Sequence, residues 1–201
     1  MQAPDSTRQQ ILQAAFDTLR DRGFAAATSR AVAERGGFNQ ALVFYYFGSM
    51  DTLLLAALDW TNEQRLAAYR TALAGAQTVD ELFATAAHLF EEDRDSGHVT
   101  VVSQMIAGSI ARPELAPETL ERMEPWLELC EQTLERVLGK SPLTQMFPTR
   151  DLAYGIVTFY LGANLLTHLE GDRARAEALL ARLRELEPLA SGLFSRSGGA
   201  P

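Results

Sequence analysis

Two short segments, Thr28–Arg35 and Gln40–Tyr46, flank the turn Gly36-Gly37-Phe38, and this is the stretch whose residue types and spacing carry chemistry. A reversal within three or four positions needs small side chains and room for a positive φ, which glycine adopts without strain. Ala33 leaves space for the second segment to pack closely. The pattern is that of a helix-turn-helix, whose second helix enters a DNA major groove while the first crosses the backbone. A glycine turn between helices also occurs in enzymes and bundles, so the turn alone leaves those classes open.

Enzyme chemistry has little to work with elsewhere. No Gly-x-Ser-x-Gly elbow, phosphate-binding loop or dinucleotide fingerprint occurs. Cys130 is the one cysteine, and in Leu129-Cys130-Glu131 its acidic neighbour disfavours the thiolate. It has no partner for an internal disulfide, and His88, His98 and His168 are too scattered to make a zinc ligand set. The expectation is no catalytic site, no metal and no cofactor.

The elements that position the turn are helices. After Pro4 no proline occurs until Pro113, which leaves a long stretch free to be helical. Within it Ile11, Leu12, Ala15, Phe16 and Leu19 recur at three and four residues, as do Leu53, Leu54, Ala57 and Leu58. No run alternates with period two, so the fold class is all-α. Ser6 with Gln9 has the form of a capping box opening a helix that Gly23 closes, Thr28 and Asn39 cap the next two, and Ser49 caps a long fourth to Ala74. Further helices are expected near Val79–Asp95, Val99–Ser109, Pro117–Leu138, Asp151–Leu169 and Arg173–Phe194, with Met1–Asp5 and Ser195–Pro201 disordered.

The 201 residues are 47% hydrophobic with a formal net charge of -8, enough for one or two domains with a buried core. The longest apolar runs, 50–60 and 155–166, fall short of the roughly 20 residues of a bilayer span, and residues 1–5 show no secretory signal. No membrane association and a cytoplasmic location are expected. Residues 1–51 carry Arg8, Arg20, Arg22, Arg30 and Arg35 against five acidic side chains, so the rest of the chain carries the whole net charge. An acidic body repels a polyanion, and the N-terminal segment is the part fit to approach one.

Over its first 55 or so residues the chain resembles the TetR family of transcriptional regulators. The resemblance rests on Ile11-Leu12-x-Ala14-Ala15, Gly23-Phe24, Thr28, Val32-Ala33, Gly37-Phe38-Asn39 and Phe44-Tyr45-Tyr46-Phe47-x-Ser49-x-Asp51-x-Leu53-Leu54. It implies an N-terminal three-helix DNA-binding domain at 1–48 and a helical effector-binding and dimerisation domain at 49–201. It further implies a homodimer, paired through the last two long helices, that represses by sitting on a palindromic operator until a small effector releases it. Carried over by position, Thr28 and Tyr45 fall on phosphate-contacting positions and Gln40 and Leu42 face bases, with Arg30, Asn39 and Tyr46 on the same segment. Gln can pair with an adenine edge, while Thr and Tyr hydroxyls on phosphates fix register without reading sequence. Phe44 and Phe47 are expected in the core.

Three positions depart from the family pattern. Met50 stands where a phosphate-contacting lysine is common, Ala41 where a glycine is, and Asn39 where Ser or Thr caps. Losing a cation lowers affinity and the salt slope by roughly one counterion per head. An alternative therefore stands beside the regulator: a dimeric helical module of the same fold that binds a ligand or protein and has given up DNA. Met50 and the neutral head favour it, and Gln40 with Tyr45 oppose it.

The resemblance does not name the effector. Ile156, Val157, Tyr160, Asn164 and Leu165 share a helical face with Gly155 and Gly162 nearby, and Leu179, Leu183, Leu186, Leu189, Ala190 and Leu193 make a stripe on the last helix, which together suit a dimer bundle. Candidate effector contacts are Trp60, His88, Gln104, Met105, Trp126, Cys130, Phe159 and Asn164. Gln104 and Asn164 stand out because a buried amide needs a hydrogen-bond partner that an effector could supply. Few basic residues fall among such positions, which points to an uncharged or lipophilic small molecule.

Overall fold

A computed structural model describes residues 4–139 and 141–185. Among them are eleven α-helices, two 3-10 turns and no strand, so the fold is all-α. The expectations for residues 1–3 and 186–201, including the stripe at Leu186, Leu189, Ala190 and Leu193, lie outside the described residues. Pro4 and Asp5 are helical instead of disordered, since α1 spans Pro4–Arg22. Ser6 therefore sits inside the first turn and does not cap it.

The two signals around the turn act as local chemistry dictates. Thr28 accepts from the Ala31 N–H at 3.2 Å and opens α2, Ser29–Gly36. Gly37 ends it in the left-handed region at φ 68°, and a side chain there would be strained. Asn39 accepts from the Ala41 N–H at 2.8 Å to start α3, Ala41–Phe47. Ser49 accepts from Thr52 N–H at 3.0 Å at the head of α4, Met50–Ala74.

Downstream come α5 (Val79–Ser96), α6 (His98–Ala111), α7 (Ala116–Glu121), α8 (Glu124–Leu138), α9 (Pro142–Met146), α10 (Thr149–Glu170) and α11 (Ala174–Glu185). The single helix expected over 117–138 is two. Pro125 lacks the N–H that would bond the Glu121 carbonyl and its ring would clash there, so the chain breaks at Arg122-Met123. The short α9 was not expected; Ser141 caps it by accepting from Thr144 N–H at 3.3 Å.

The described chain packs as two compact units. The first takes residues up to Leu66 together with Ser96–Met123. Its core is Ile11, Leu12, Ala15, Val32, Val43, Phe47, Leu53 and Ala57, all buried, and α1 packs on both α2 and α6. Gly108 lets the Phe24 ring lie against α6, because a Cβ there would stand 2.4 Å from the ring. Arg112 at the end of α6 holds both oxygens of Asp51 at 2.6 Å, which ties α6 to the first turn of α4. The head is thus packed with α6 and α7 in one unit.

The second unit comprises Ala67–Asp95 and the described residues from Glu124 onward. In it α10 packs along α8. By length and composition α10 is long and apolar enough to cross a membrane, with mean hydropathy 1.3, yet only 17% of that window is buried.

Candidate nucleic-acid interface

The helix-turn-helix presents a polar, exposed face. Thr28, Arg30, Asn39, Gln40 and Tyr45 are exposed, and Tyr45 reaches 79% relative exposure. Tyr46 is half-buried, packs against the core of the first unit, and meets the Tyr45 ring edge-on at 5.1 Å. Leu42 is likewise half-buried and packs against that core. Phe44 is 47% exposed, contrary to the expectation of a core residue, whereas Phe47 is buried. The difference follows from helical spacing: Val43 and Phe47, four apart, own the inner face of α3, and Phe44 and Tyr45 fall on the outer one. Met50 packs on the same core, an apolar role that explains an apolar residue at this position.

Most head arginines are engaged within the head. Arg20 pairs with Asp17 and Asp21, Arg35 with Asp21, and Arg22 with Glu34 at 3.9 Å. The paired guanidinium of Arg20, with Arg35 beside it, holds the Asp21 carboxyl below its ordinary range. Arg8 lies 5.2 Å over the Phe47 ring. Arg30 is exposed on α2 two residues from Thr28. Replacing Arg30 by Ala is expected to weaken DNA binding uniformly across sequences and to reduce the salt slope by about one per head. Titrations at several salt concentrations check this.

The expected effector contacts fall in both units. Trp60, Gln104 and Met105 belong to the first unit, and the other five to the second. Trp60 meets Phe16 edge-on at 5.9 Å and packs on the head core, and Met105 is fully buried in the same unit. Gln104 already has a partner: its Oε1 accepts from the Phe24 N–H at 3.0 Å, so it joins α6 to the turn after α1. Gln104→Ala leaves that N–H unpaired and should cost about 1–2 kcal/mol of stability, read by urea unfolding. Asn164 is satisfied too, donating to the Tyr160 carbonyl at 2.9 Å and accepting from Arg173 at 3.3 Å. Phe159 is 36% exposed on α10, and His88 is exposed, 3.4 Å from Glu92.

The second unit instead centres its polar chemistry on Asp93, which sequence reasoning missed. Asp93 is 4% exposed and accepts from the Tyr69 hydroxyl at 2.6 Å and from the Tyr160 hydroxyl. The two phenols are 2.8 Å apart, and burial together with the facing groups holds both far above the ordinary phenol range. Trp126 meets Tyr69 edge-on at 5.1 Å, and Tyr160 meets Phe90, over whose ring the Arg173 guanidinium lies 4.3 Å from the centre. Burial pushes the Cys130 thiol up to about 11. Alkylation of Cys130 by iodoacetamide near neutral pH should therefore run about a hundredfold slower than that of a free cysteine, and should recover on unfolding.

Among the described residues no group of three or more His, Cys, Asp or Glu could hold a metal ion. A cleft of about 630 Å3 opens in the second unit, lined by Phe83, Phe90 and Leu180 with Asp80, Glu91, Glu177, Glu185 and the expected contact His88.

Residues 11–57 match the family described as bacterial regulatory proteins, tetR family, over the whole helix-turn-helix and the start of α4. The N-terminal segment, residues 11–57, is thus of the TetR type. Among TetR-type relatives, the HTH-type transcriptional regulator BetI of Stenotrophomonas maltophilia is 34% identical over 113 residues, covering 54% of this chain and 57% of that protein. The chain thus spans just over half the length of that relative. The fatty acid degradation regulator FadR from Bacillus halodurans superposes with TM-score 0.74 over 100% of both chains at 17% identity, which shows the shared fold. The multidrug binding protein EbrR, solved with imidazole, is 27% identical with TM-score 0.60 over 88% of this chain and 93% of that one. These relatives are regulators and binding proteins, a class without catalytic chemistry.

Proposed function

We propose that this TetR-family protein is a transcriptional repressor that binds a palindromic double-stranded DNA operator as a homodimer in the cytoplasm and is released by a small lipophilic effector. The observation that carries the reading is the exposed polar face of the helix-turn-helix, with Thr28, Arg30, Gln40 and Tyr45 outward while Val32, Val43 and Phe47 are buried beneath. Thr28 and Tyr45 would hold phosphates, and Gln40 at the start of α3 would read a base edge. Residues 1–48 take the DNA-binding role and 49–201 the effector and dimer roles; this is a division of labour, since α6 and α7 pack with the head.

Dimerisation through α10 and α11 is supported by an uncovered apolar stripe. Ile156, Phe159, Leu166 and Leu169 fall at helical spacing on α10 with exposures from 36% to 80%, and Leu179 on α11 is 44% exposed. Beside Gly155 and Gly162 there is open space, which a helix of a second copy can approach closely. A face this apolar is stabilised by burial against its own twin. An effector in the second unit is supported by the cleft, where Phe83, Phe90 and Leu180 offer apolar surface and four carboxylates, against His88 alone as a basic group, disfavour a multiply charged anion. The drug-binding relative EbrR supports a small-molecule ligand in the same way.

The test is selection of binding sites from a randomised duplex pool by the purified full-length protein. Enrichment of a two-fold symmetric sequence is the expected result. A folded dimer that enriches nothing at low salt would overturn this reading, leaving either a regulator whose heads align only with an effector bound or the ligand- or protein-binding module without DNA.

A further inference from the structure

The outer face of α3 carries one large side chain that the DNA-binding reading above does not use. Gln40, Ala41, Phe44, Tyr45 and Gly48 are exposed, and their spacing makes one stripe along the helix, with Val43 and Phe47 buried on the opposite side. Gln40 already has helical dihedrals, φ -50° and ψ -32°, so it begins that stripe. Phe44 is its large apolar member, 47% exposed, and it lies outside the core against which Phe38, Leu42 and Tyr46 pack. Side chains on a helix lean toward its N-terminus. That sets the ring beside the turn of Gln40 and Ala41, the end of a recognition helix that meets base edges. One turn further on, Gly48 has no side chain to cover the ring and open space beside it.

Phenylalanine has no hydroxyl to hold a phosphate, as Tyr45 has, and no amide to pair with a base edge. In a major groove it can only cover apolar surface, and of the four bases thymine alone carries an alkyl group there, the C5-methyl. We propose that Phe44 is a specificity-determining residue that selects a thymine in each half-site by packing its ring on that methyl. The contact takes apolar surface of both ring and methyl out of water. The inference rests on the DNA-binding reading above.

The experiment is the duplex selection run with the full-length wild type and Phe44→Ala, followed by affinity measurements on the wild-type duplex. Phe44→Ala should keep its midpoint of thermal unfolding, because the ring is outside the core, and should lose its preference at a half-site position where the wild type enriches thymine. Replacing that thymine by deoxyuridine removes the methyl and keeps every hydrogen-bonding group. A methyl counts as about one buried CH2, about fourfold in affinity, so the wild type should bind the symmetric duplex with both thymines replaced about fifteenfold more weakly. Phe44→Ala should bind the two duplexes equally. The wild-type arm does not depend on the variant's folding, since each half-site thymine can be replaced in turn and at least one must show the loss. A base other than thymine at the Phe44-dependent position, no position altered in Phe44→Ala, equal wild-type affinity for thymine and deoxyuridine duplexes, or the same methyl dependence in Phe44→Ala would each overturn the proposal while leaving DNA binding intact. Enrichment by neither protein would overturn the DNA-binding reading and this one with it.

Discussion

Leu166→Glu with Leu169→Glu is expected to convert a dimer into a monomer. Both leucines are exposed in the single chain, at 60% and 80%, three residues apart on α10. In an isologous interface each substitution counts twice, once on each copy. Burying a leucine contributes about 1.5–3 kcal/mol, so four lost burials amount to roughly 6 kcal/mol or more, a loss of about ten-thousandfold in dimer affinity. Four added carboxylates meeting across the axis weaken it further. Sedimentation equilibrium reads the mass directly. Ile110→Glu is the matched control, since Ile110 is 78% exposed on α6 in the other unit and its loss should leave the mass unchanged. A double variant that stays dimeric would place the interface elsewhere.

Gln40→Ala with Tyr45→Ala should abolish specific DNA recognition without touching the fold. Both side chains are exposed, and neither belongs to the core of the first unit. A base contact contributes about 1–3 kcal/mol of discrimination and a phosphate hydrogen bond about 1 kcal/mol, each in two half-sites. Specific affinity should fall by roughly a thousandfold or more, while binding to unrelated duplex, which rests on charge, changes far less. Fluorescence anisotropy against the selected and an unrelated duplex separates the two, and an unchanged midpoint of thermal unfolding shows that the head is intact. Tyr46→Ala should behave differently: Tyr46 packs on the core, so its loss should lower stability first.

Much of the head was legible because its signals are local. Caps at Thr28, Asn39 and Ser49 bond N–H groups two or three residues away, and Gly37 needs only its own φ. The period of Ile11, Leu12, Ala15 and Leu19 names the buried face of α1, and burial there is complete or nearly so. The effector region was not legible, for a reason equally physical. Gln104 reads as an amide in want of a partner, but its partner is 80 residues away at Phe24 and nothing near Gln104 in the sequence encodes it, whereas Asn164 is satisfied within its own neighbourhood by Tyr160 and Arg173. Asp93 sits among charged residues in the sequence and reads as surface; only folding brings Tyr69 and Tyr160 to it. Phe44 is exposed where a core position was expected for want of one geometric fact, the angle at which α3 meets the core. The break in the 117–138 helix is legible in Pro125, which cannot donate to the Glu121 carbonyl.

The measurement that bears most directly on a symmetric DNA-binding regulator is the stoichiometry and half-site dependence of the complex formed with the selected duplex. Sedimentation velocity should show two protomers on one two-fold symmetric site, and a duplex with one half-site scrambled should bind at least about a hundredfold more weakly, the loss expected when one head's phosphate and base contacts go. One protomer per duplex, or equal affinity for the intact and the half-scrambled site, would contradict the account.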